Sequence, residues 1–372
     1  MRSAPGQIEG GQSAELAGFA ERLLAVIDEG RRTATYKLAV LLALMDCCAE
    51  QAEPDGTAPT EISTRAIARH VARLYWPQLR PFPTEAGALE LRQITNKSAT
   101  IIAALADAFH ALPQVGTWEV AEASLPADQV RQVLDVVELT VARYPLVRLQ
   151  TLDGVPRPFI YDVEWGEGVT LGRLAAAGGA KVRLRTGAGD QLVRLAPLIR
   201  PLVEVHWFRM VADLNKLAVV EDDLRRHLFG AERVAFPGQL RHDLTKLQTG
   251  LCFYCAQPLN GPSAVDHFVP WSRWPNDAVE NLVMAHASCN SHKSDHIPGP
   301  LPLEKWVKRL AAHSDDLAQA AMATAWRTDR GRTVSLARSL YGHLPTSAVV
   351  WNAPKHVQTA DVSELLALLS PL

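Results

Sequence analysis

The grouping of cysteines constrains this chain more than any other feature. The sequence has 5 cysteines in 372 residues, too few for a disulfide framework. Cys47 and Cys48 are adjacent, and Cys252, Cys255 and Cys289 fall in one stretch. Two ligand pairs, each with two residues between, can hold one tetrahedral Zn²⁺. Cys252 and Cys255 form the first pair, and Cys289 supplies a third ligand. Spacing leaves the fourth open, because His286 and His292 each stand three positions from Cys289. Pro258, Gly261 and Pro262 follow the first pair. They suit a zinc knuckle better than the βα unit of a thioredoxin-like redox motif. Cys47 and Cys48, inside an apolar run, read as helix core.

The rest of the chain is long and apolar enough to bury a core. Its 372 residues, 48 % hydrophobic and 21 % charged, predict two or three domains and exclude a disordered chain, a collagen or a coiled-coil rod. Residues 1–13 are polar and carry no apolar signal-peptide core. No run reaches the ~18 apolar residues of a membrane helix. The expectation is a soluble, cytoplasmic protein. A net charge of −2 gives no global sign of a nucleic-acid binder.

Apolar periodicity predicts helices over 15–29, 36–51 and 96–112, with Ser63 capping another that stops near Trp76-Pro77. Further on, 127–144 reads as a helix. Asp153-Gly154 joins extended runs 146–152 and 159–163 in a hairpin, and 180–185 reads as a strand. Asp190 caps a helix to about 215, interrupted by Pro197 and Pro201, and 221–228 is another helix. In the tail, 304–323 and 362–369 are helical. The fold class expected is mainly α with a small α+β middle region. Four segments follow: a helical domain 1–115, a mixed region 116–235, a chemistry-bearing module 236–300 and a helical tail 301–372 packing on the rest.

Within the module, Asp266-His267 lies in a strand flanked by Ala264-Val265 and Phe268-Val269. Neighbouring strand residues point to opposite faces, so a bend or bulge is needed for the two to share a site. Glu280-Asn281-Leu282 follows, then Cys289-Asn290 and Lys293, the last on the same helical face as Asn290.

This order resembles the HNH endonucleases of the ββα-metal (His-Me finger) superfamily, in their zinc-stabilised McrA-type form. The lead-in, with Arg241, Leu244, Gln248 and Gly250, is similar too, and the resemblance covers about residues 240–298. It implies that His267 is the general base and that Asp266 and Asn290 hold a catalytic Mg²⁺ or Mn²⁺. Asn290 stands where the family often has His. It implies that Asn281 holds the loop and orients the base, that Lys293 neutralises a phosphate, and that His292 is a further phosphate contact or solvated. It also assigns the fourth zinc ligand to His286, where the family usually has Cys. The zinc would be structural, replacing a hydrophobic core in so short an element. The implied activity is hydrolysis of double-stranded DNA in bacterial restriction or antiviral defence, by a homodimer or with partner proteins. The competing readings are a zinc-knuckle nucleic-acid-binding module without activity and an RNA-directed nuclease.

Two stretches offer nucleic-acid contacts. Arg173, Lys181, Arg183, Arg185, Arg194, Arg200 and Arg209 face only Asp190 and Glu204 along the sequence, and such a stripe, with Arg183 and Arg185 at its centre, can track phosphates. Trp271, Arg273 and Trp274 sit in the loop after the base, where indoles can stack on bases.

Overall fold

The computed structural model describes residues 5–28, 34–94, 100–112, 116–176, 179–217, 221–229 and 235–372. The chain divides into two compact units, Met1–Cys48 with Pro59–Glu232, and Ala49–Ala58 with Arg233–Leu372. Among the described residues, no helix is long and apolar enough to cross a membrane.

The first unit opens with α1 (Pro5–Asp28), which begins earlier than its periodicity, and α2 (Tyr36–Glu50). The predicted helix end at Glu29 and the predicted helix start at Asn96 lie outside the described residues. Helix α2 is apolar from Leu38 to Met45 and buried, with Cys47 and Cys48 both 0 % exposed. After β1 (Glu61–Ser63), the Ser63 hydroxyl accepts from Ala66 N and starts α3 (Thr64–Tyr75). Pro77 then tightens the chain into a 3-10 turn, Trp76–Leu79. A hairpin, β2 (Phe82–Thr84) and β3 (Gly87–Leu89), precedes α4 (Thr100–Ala111), α5 (Trp118–Ser124), α6 (Ala127–Arg143) and α7 (Pro145–Arg148).

The predicted hairpin over 146–163 forms differently. Asp153 and Gly154 both have positive φ, as a tight two-residue turn needs, but they join β4 (Thr151–Leu152) to β5 (Val155–Pro156). Pro145 at the first helical position turns 145–148 into α7. Gln150 explains why the later run leaves the hairpin. Its Oε1 accepts from Phe159 N and Ile160 N, and its Nε2 donates to Tyr161 O. That run becomes β6 (Tyr161–Asp162), followed by α8 (Leu171–Ala175) and β7 (Lys181–Leu184), in a sheet ordered β1-β7-β6. Helix α9 (Ala188–Asn215) starts after Gly187, whose φ is +73°. Asp190 lies in its first turn rather than at the cap. Pro197 and Pro201 do not interrupt it: both rings lie on its exposed face, clear of the core. Helix α10 (Glu221–Phe229) completes the unit.

The second unit holds the cysteine cluster. Helix α11 (Gly238–Leu247) leads into the knuckle, then β8 (Ser263–His267), a 3-10 turn Val279–Asn281, β9 (Leu282–His286) and α12 (Ala287–Lys293). Strands β8 and β9 pair antiparallel, from Ser263 opposite His286 to His267 opposite Leu282, and α12 packs on both. The predicted helix 304–323 is two, α13 (Pro300–Ala312) and α14 (Ser314–Ala323), broken at His313. Next come α15 (Arg330–Gly342), a hairpin of β10 (Val349–Ala353) and β11 (His356–Thr359), and α16 (Val362–Leu369). Helix α15 falls in the tail expected to be helical, though without bounds of its own, and this hairpin was not expected.

One hydrophobic core runs through the unit, joining Leu240 and Leu244 of α11, Val265, Phe268, Leu282 and Val283 of the hairpin, and Trp306, Leu317, Trp351 and Leu369 of the tail. Phe268 and Trp306 stack at 4.7 Å with their planes 4° apart. The expectation that zinc replaces a core here is therefore corrected: the short ββα element borrows its core from the helices that follow it.

Candidate active site and metal centre

Cys252, Cys255, His286 and Cys289 bring one ligand atom each to within 4.8 Å of the others. The set could hold a metal ion, and it resolves the spacing ambiguity in favour of His286. Zn–S bonds of ~2.3 Å and a Zn–N bond of ~2.0 Å at tetrahedral angles place sulfur and nitrogen about 3.5 Å apart. His286 Nδ1 lies 3.3 Å from Cys255 Sγ and 4.0 Å from Cys289 Sγ, which brackets that value. His286 Nε2–H donates to Pro258 O at 3.0 Å, fixing the tautomer that frees Nδ1. The His286 amide also donates to Cys252 Sγ at 3.4 Å, a contact that favours thiolate. Burial pushes the Cys289 thiol up to about 12, with its sulfur neighbours adding to the shift. A cation is what would reverse that.

Gln248 ties the knuckle to the sheet. Its Oε1 accepts from Met284 N and its Nε2 donates to Met284 O and Leu251 O, so the side chain acts as a strand neighbour for β9. Arg241 donates to Ser263 O at the start of β8.

Asp266 is buried on the face of β8 covered by α12. Tyr254 Oη donates to its Oδ2 at 2.5 Å, and Lys293 Nζ lies 3.1 Å from the same oxygen. Among the described residues, nothing hydrogen-bonds Oδ1 of Asp266 or the side-chain amide of Asn290. A hard divalent cation takes oxygen ligands of these two kinds, so the donor set fits. Burial and the neighbouring carboxylate hold the Tyr254 phenol well above its ordinary range, which keeps it a donor. Lys293 is 0 % exposed, and Nζ also donates to His267 O at 2.7 Å. Burial lowers its ammonium and Asp266 opposes that shift. The expected contact with substrate phosphate is corrected: the lysine braces Asp266 and the strand end from inside.

His267 is the last residue of β8, and the ladder reaches it without a bulge. No hydrogen bond joins its side chain to that of Asp266; Lys293, beside the Asp266 carboxylate and donating to the His267 carbonyl, is the link. On its own face the ring packs between Phe236 and Trp271, with centroids at 5.9 and 5.1 Å. Its Nε2 is 2.7 Å from Asp277 Oδ1. Asn281, 0 % exposed, accepts from Val269 N and donates to Val269 O and Asn276 O. It holds the loop after His267.

Tail residues clamp the same loop from the other side. Trp326 Nε1 donates to Asp277 O, Val279 N to Arg327 O, and Asn276 Nδ2 to Thr333 Oγ1. Trp306 and Arg309 donate to Glu280 O, and Arg309 also to Leu282 O. Burial lowers the Arg309 guanidinium to about 10, so it stays charged. Sequence reasoning missed Tyr254, Asp277, Trp326 and Arg309. Each acts across the fold, and no spacing rule links them to the motif.

The nucleic-acid candidates separate by environment. Trp271 is half-buried and Arg273 is exposed, whereas Trp274 is 4 % exposed and lies inside the protein. His292 is exposed, and its Nδ1–H donates to Ser288 O of its own helix. Arg183 lies beside Glu61 and Glu164, and Arg185 beside Asp162. In the stripe that looked unbalanced along the sequence, Lys181, Arg183, Arg185 and Arg200 thus stand beside carboxylates brought from elsewhere in the chain.

Residues 252–299 match the HNH endonuclease family, and residues 17–157 match a domain of unknown function. No curated protein matches the chain.

Proposed function

We propose that this chain, which carries an HNH endonuclease domain in its C-terminal half, is a metal-dependent nuclease that hydrolyses phosphodiester bonds of double-stranded DNA in prokaryotic restriction or defence. The observation that carries the reading is chemical. Within an HNH-matching ββα element, a carboxylate oxygen of Asp266, the amide of Asn290 and one imidazole nitrogen of His267 have no protein partner among the described residues. These are the groups that phosphodiester hydrolysis needs free. His267 takes the proton from the attacking water. Asp266 and Asn290 hold Mg²⁺ or Mn²⁺, which when bound supplies Lewis-acid charge at the phosphate and the leaving oxygen. Lys293 and Tyr254 fix the carboxylate, and Asn281 fixes the loop. Zinc on Cys252, Cys255, His286 and Cys289 is structural, with no open position for substrate. Trp271 and Arg273 contact the nucleic acid beside the scissile bond.

The test is nicking of supercoiled plasmid with Mg²⁺ or Mn²⁺, run beside single-stranded DNA and RNA. His267→Ala is expected to lower cleavage by about 10²–10⁴-fold, the contribution of a general base, while plasmid binding persists. Undiminished cleavage by that variant would overturn the assignment. Cleavage of RNA alone would replace DNA as the substrate.

A further inference from the structure

The reaction leaves one question at its base: what holds the His267 ring and decides which nitrogen accepts the proton. We propose that Asp277 is the positioning residue for His267, its carboxylate accepting from Nε2–H so that Nδ1 is the proton acceptor. This rests on the nuclease reading above and deepens it.

Three observations carry the assignment. The first is distance: Nε2 and Asp277 Oδ1 are 2.7 Å apart, and the two side chains are 19 % and 18 % exposed. A partly desolvated carboxylate accepting from an imidazole fixes both tautomer and ring rotation. The second is exclusivity. Among the described residues the Asp277 side chain has no partner but His267, and His267 Nδ1 has no hydrogen-bond partner. The third is how Asp277 is held. Its loop is locked through backbone groups and neighbours, namely Trp326 on its carbonyl and Asn281 and Thr333 on Asn276. The carboxylate is not needed to shape the loop that presents it. Its neighbour Glu280 differs: its two oxygens accept from Thr328 Oγ1 and Asp329 N, a structural use.

Phe236 and Trp271 complete the arrangement by flanking the ring. They limit its tilt, so the carboxylate has a single rotation to select. With Nε2 occupied, Nδ1 is the nitrogen left to take a proton from water. Asp277 itself neither touches substrate nor gains a proton.

The experiment uses the full chain loaded with zinc. Asp277→Asn keeps the shape of the side chain and allows the opposite tautomer, because an amide NH₂ can donate to Nε2. On supercoiled plasmid with Mn²⁺, kcat is expected to fall about tenfold to hundredfold with KM within about twofold, since only the general-base step is impaired. In a His267→Ala background the same substitution is expected to cost nothing further, because the two residues act as a unit. Long-range ¹H–¹⁵N spectra of ¹⁵N-histidine protein give a readout independent of turnover: wild type is expected to show His267 protonated on Nε2, and Asp277→Asn to lose that signature. Wild-type kcat in Asp277→Asn while His267→Ala is inactive overturns the positioning role and leaves the nuclease reading standing. Activity in His267→Ala overturns that reading instead. A wild-type spectrum with the proton on Nδ1 overturns the proposal whatever the variants do.

Discussion

Lys293 illustrates what one residue's burial does to a role read from spacing. Three positions after Asn290, a lysine on a helix face looks like a phosphate contact, and the sequence alone gives no reason to turn it inward. In the fold it is 0 % exposed and joined to Asp266. Removing one partner of a buried pair strands the other, at a cost of about 3–5 kcal/mol. Lys293→Ala should therefore lower unfolding free energy by that amount in urea titrations. A substrate-facing lysine would instead leave stability within about 0.5 kcal/mol and weaken the salt dependence of DNA binding. Tyr254 is the second case. Its hydroxyl at 2.5 Å from Asp266 Oδ2 orients the carboxylate, so Tyr254→Phe should weaken activation by Mn²⁺ about tenfold, read from a metal titration of plasmid nicking. Ligand types and their spacing were legible at this scale, because metal chemistry fixes them locally. Tyr254 and Asp277 were not, because hydrogen bonds across a fold leave no periodic trace.

At the scale of elements, the zinc knuckle and α13 divide the work of holding the ββα hairpin. The knuckle closes one end, with Gln248 pairing to Met284 and His286 reaching Pro258 O. The other side is held by Trp306, stacked on Phe268 and donating to Glu280 O. Because an apolar core runs from α11 to α16, removing zinc should open the knuckle without melting the unit. Chelation is expected to lower Tm and abolish cleavage while most of the far-ultraviolet helical signal remains; collapse of that signal to an unfolded spectrum would show that the metal, not the core, sustains the unit. Trp306→Ala should cost about 3–5 kcal/mol, the range for a buried tryptophan, measured by urea unfolding with zinc bound. The sequence marked helices with strong periodicity or a capping serine, such as α3. It gave α15 no bounds within the helical tail, because Arg330, Arg332, Ser335 and Arg338 dilute its apolar pattern, and it merged α13 with α14 because the apolar pattern runs through the break at His313.

For the whole molecule, the near-neutral charge takes its meaning from pairing. Arg183 on β7 and Arg185 just after it, both exposed, stand beside Glu61, Glu164 and Asp162, so the basic stretch offers phosphates less than its sequence promises. Sequence distance hid this, since the carboxylates come from other segments of the chain. The tail is the larger lesson. Read along the chain, residues 301–372 are an appendage to the chemistry; in the fold they complete it. Leu303, Trp306, Leu310, Leu317, Trp351, Leu365 and Leu369 are each at most 2 % exposed and share a core with the hairpin, while Trp326, Arg327 and Thr333 clamp the loop that carries Asp277. Burying one such side chain contributes roughly 1.5–3 kcal/mol, and a domain has only about 5–15 kcal/mol to lose. A chain stopped after Gly299 keeps every residue of the HNH match, yet should fail to fold its second unit, seen as protease sensitivity of everything after α11 with zinc present. Protection and plasmid nicking equal to the full chain's would show that the motif folds on its ligands alone. A stable but inactive product would instead assign the tail to the loop of Asp277 rather than to the core.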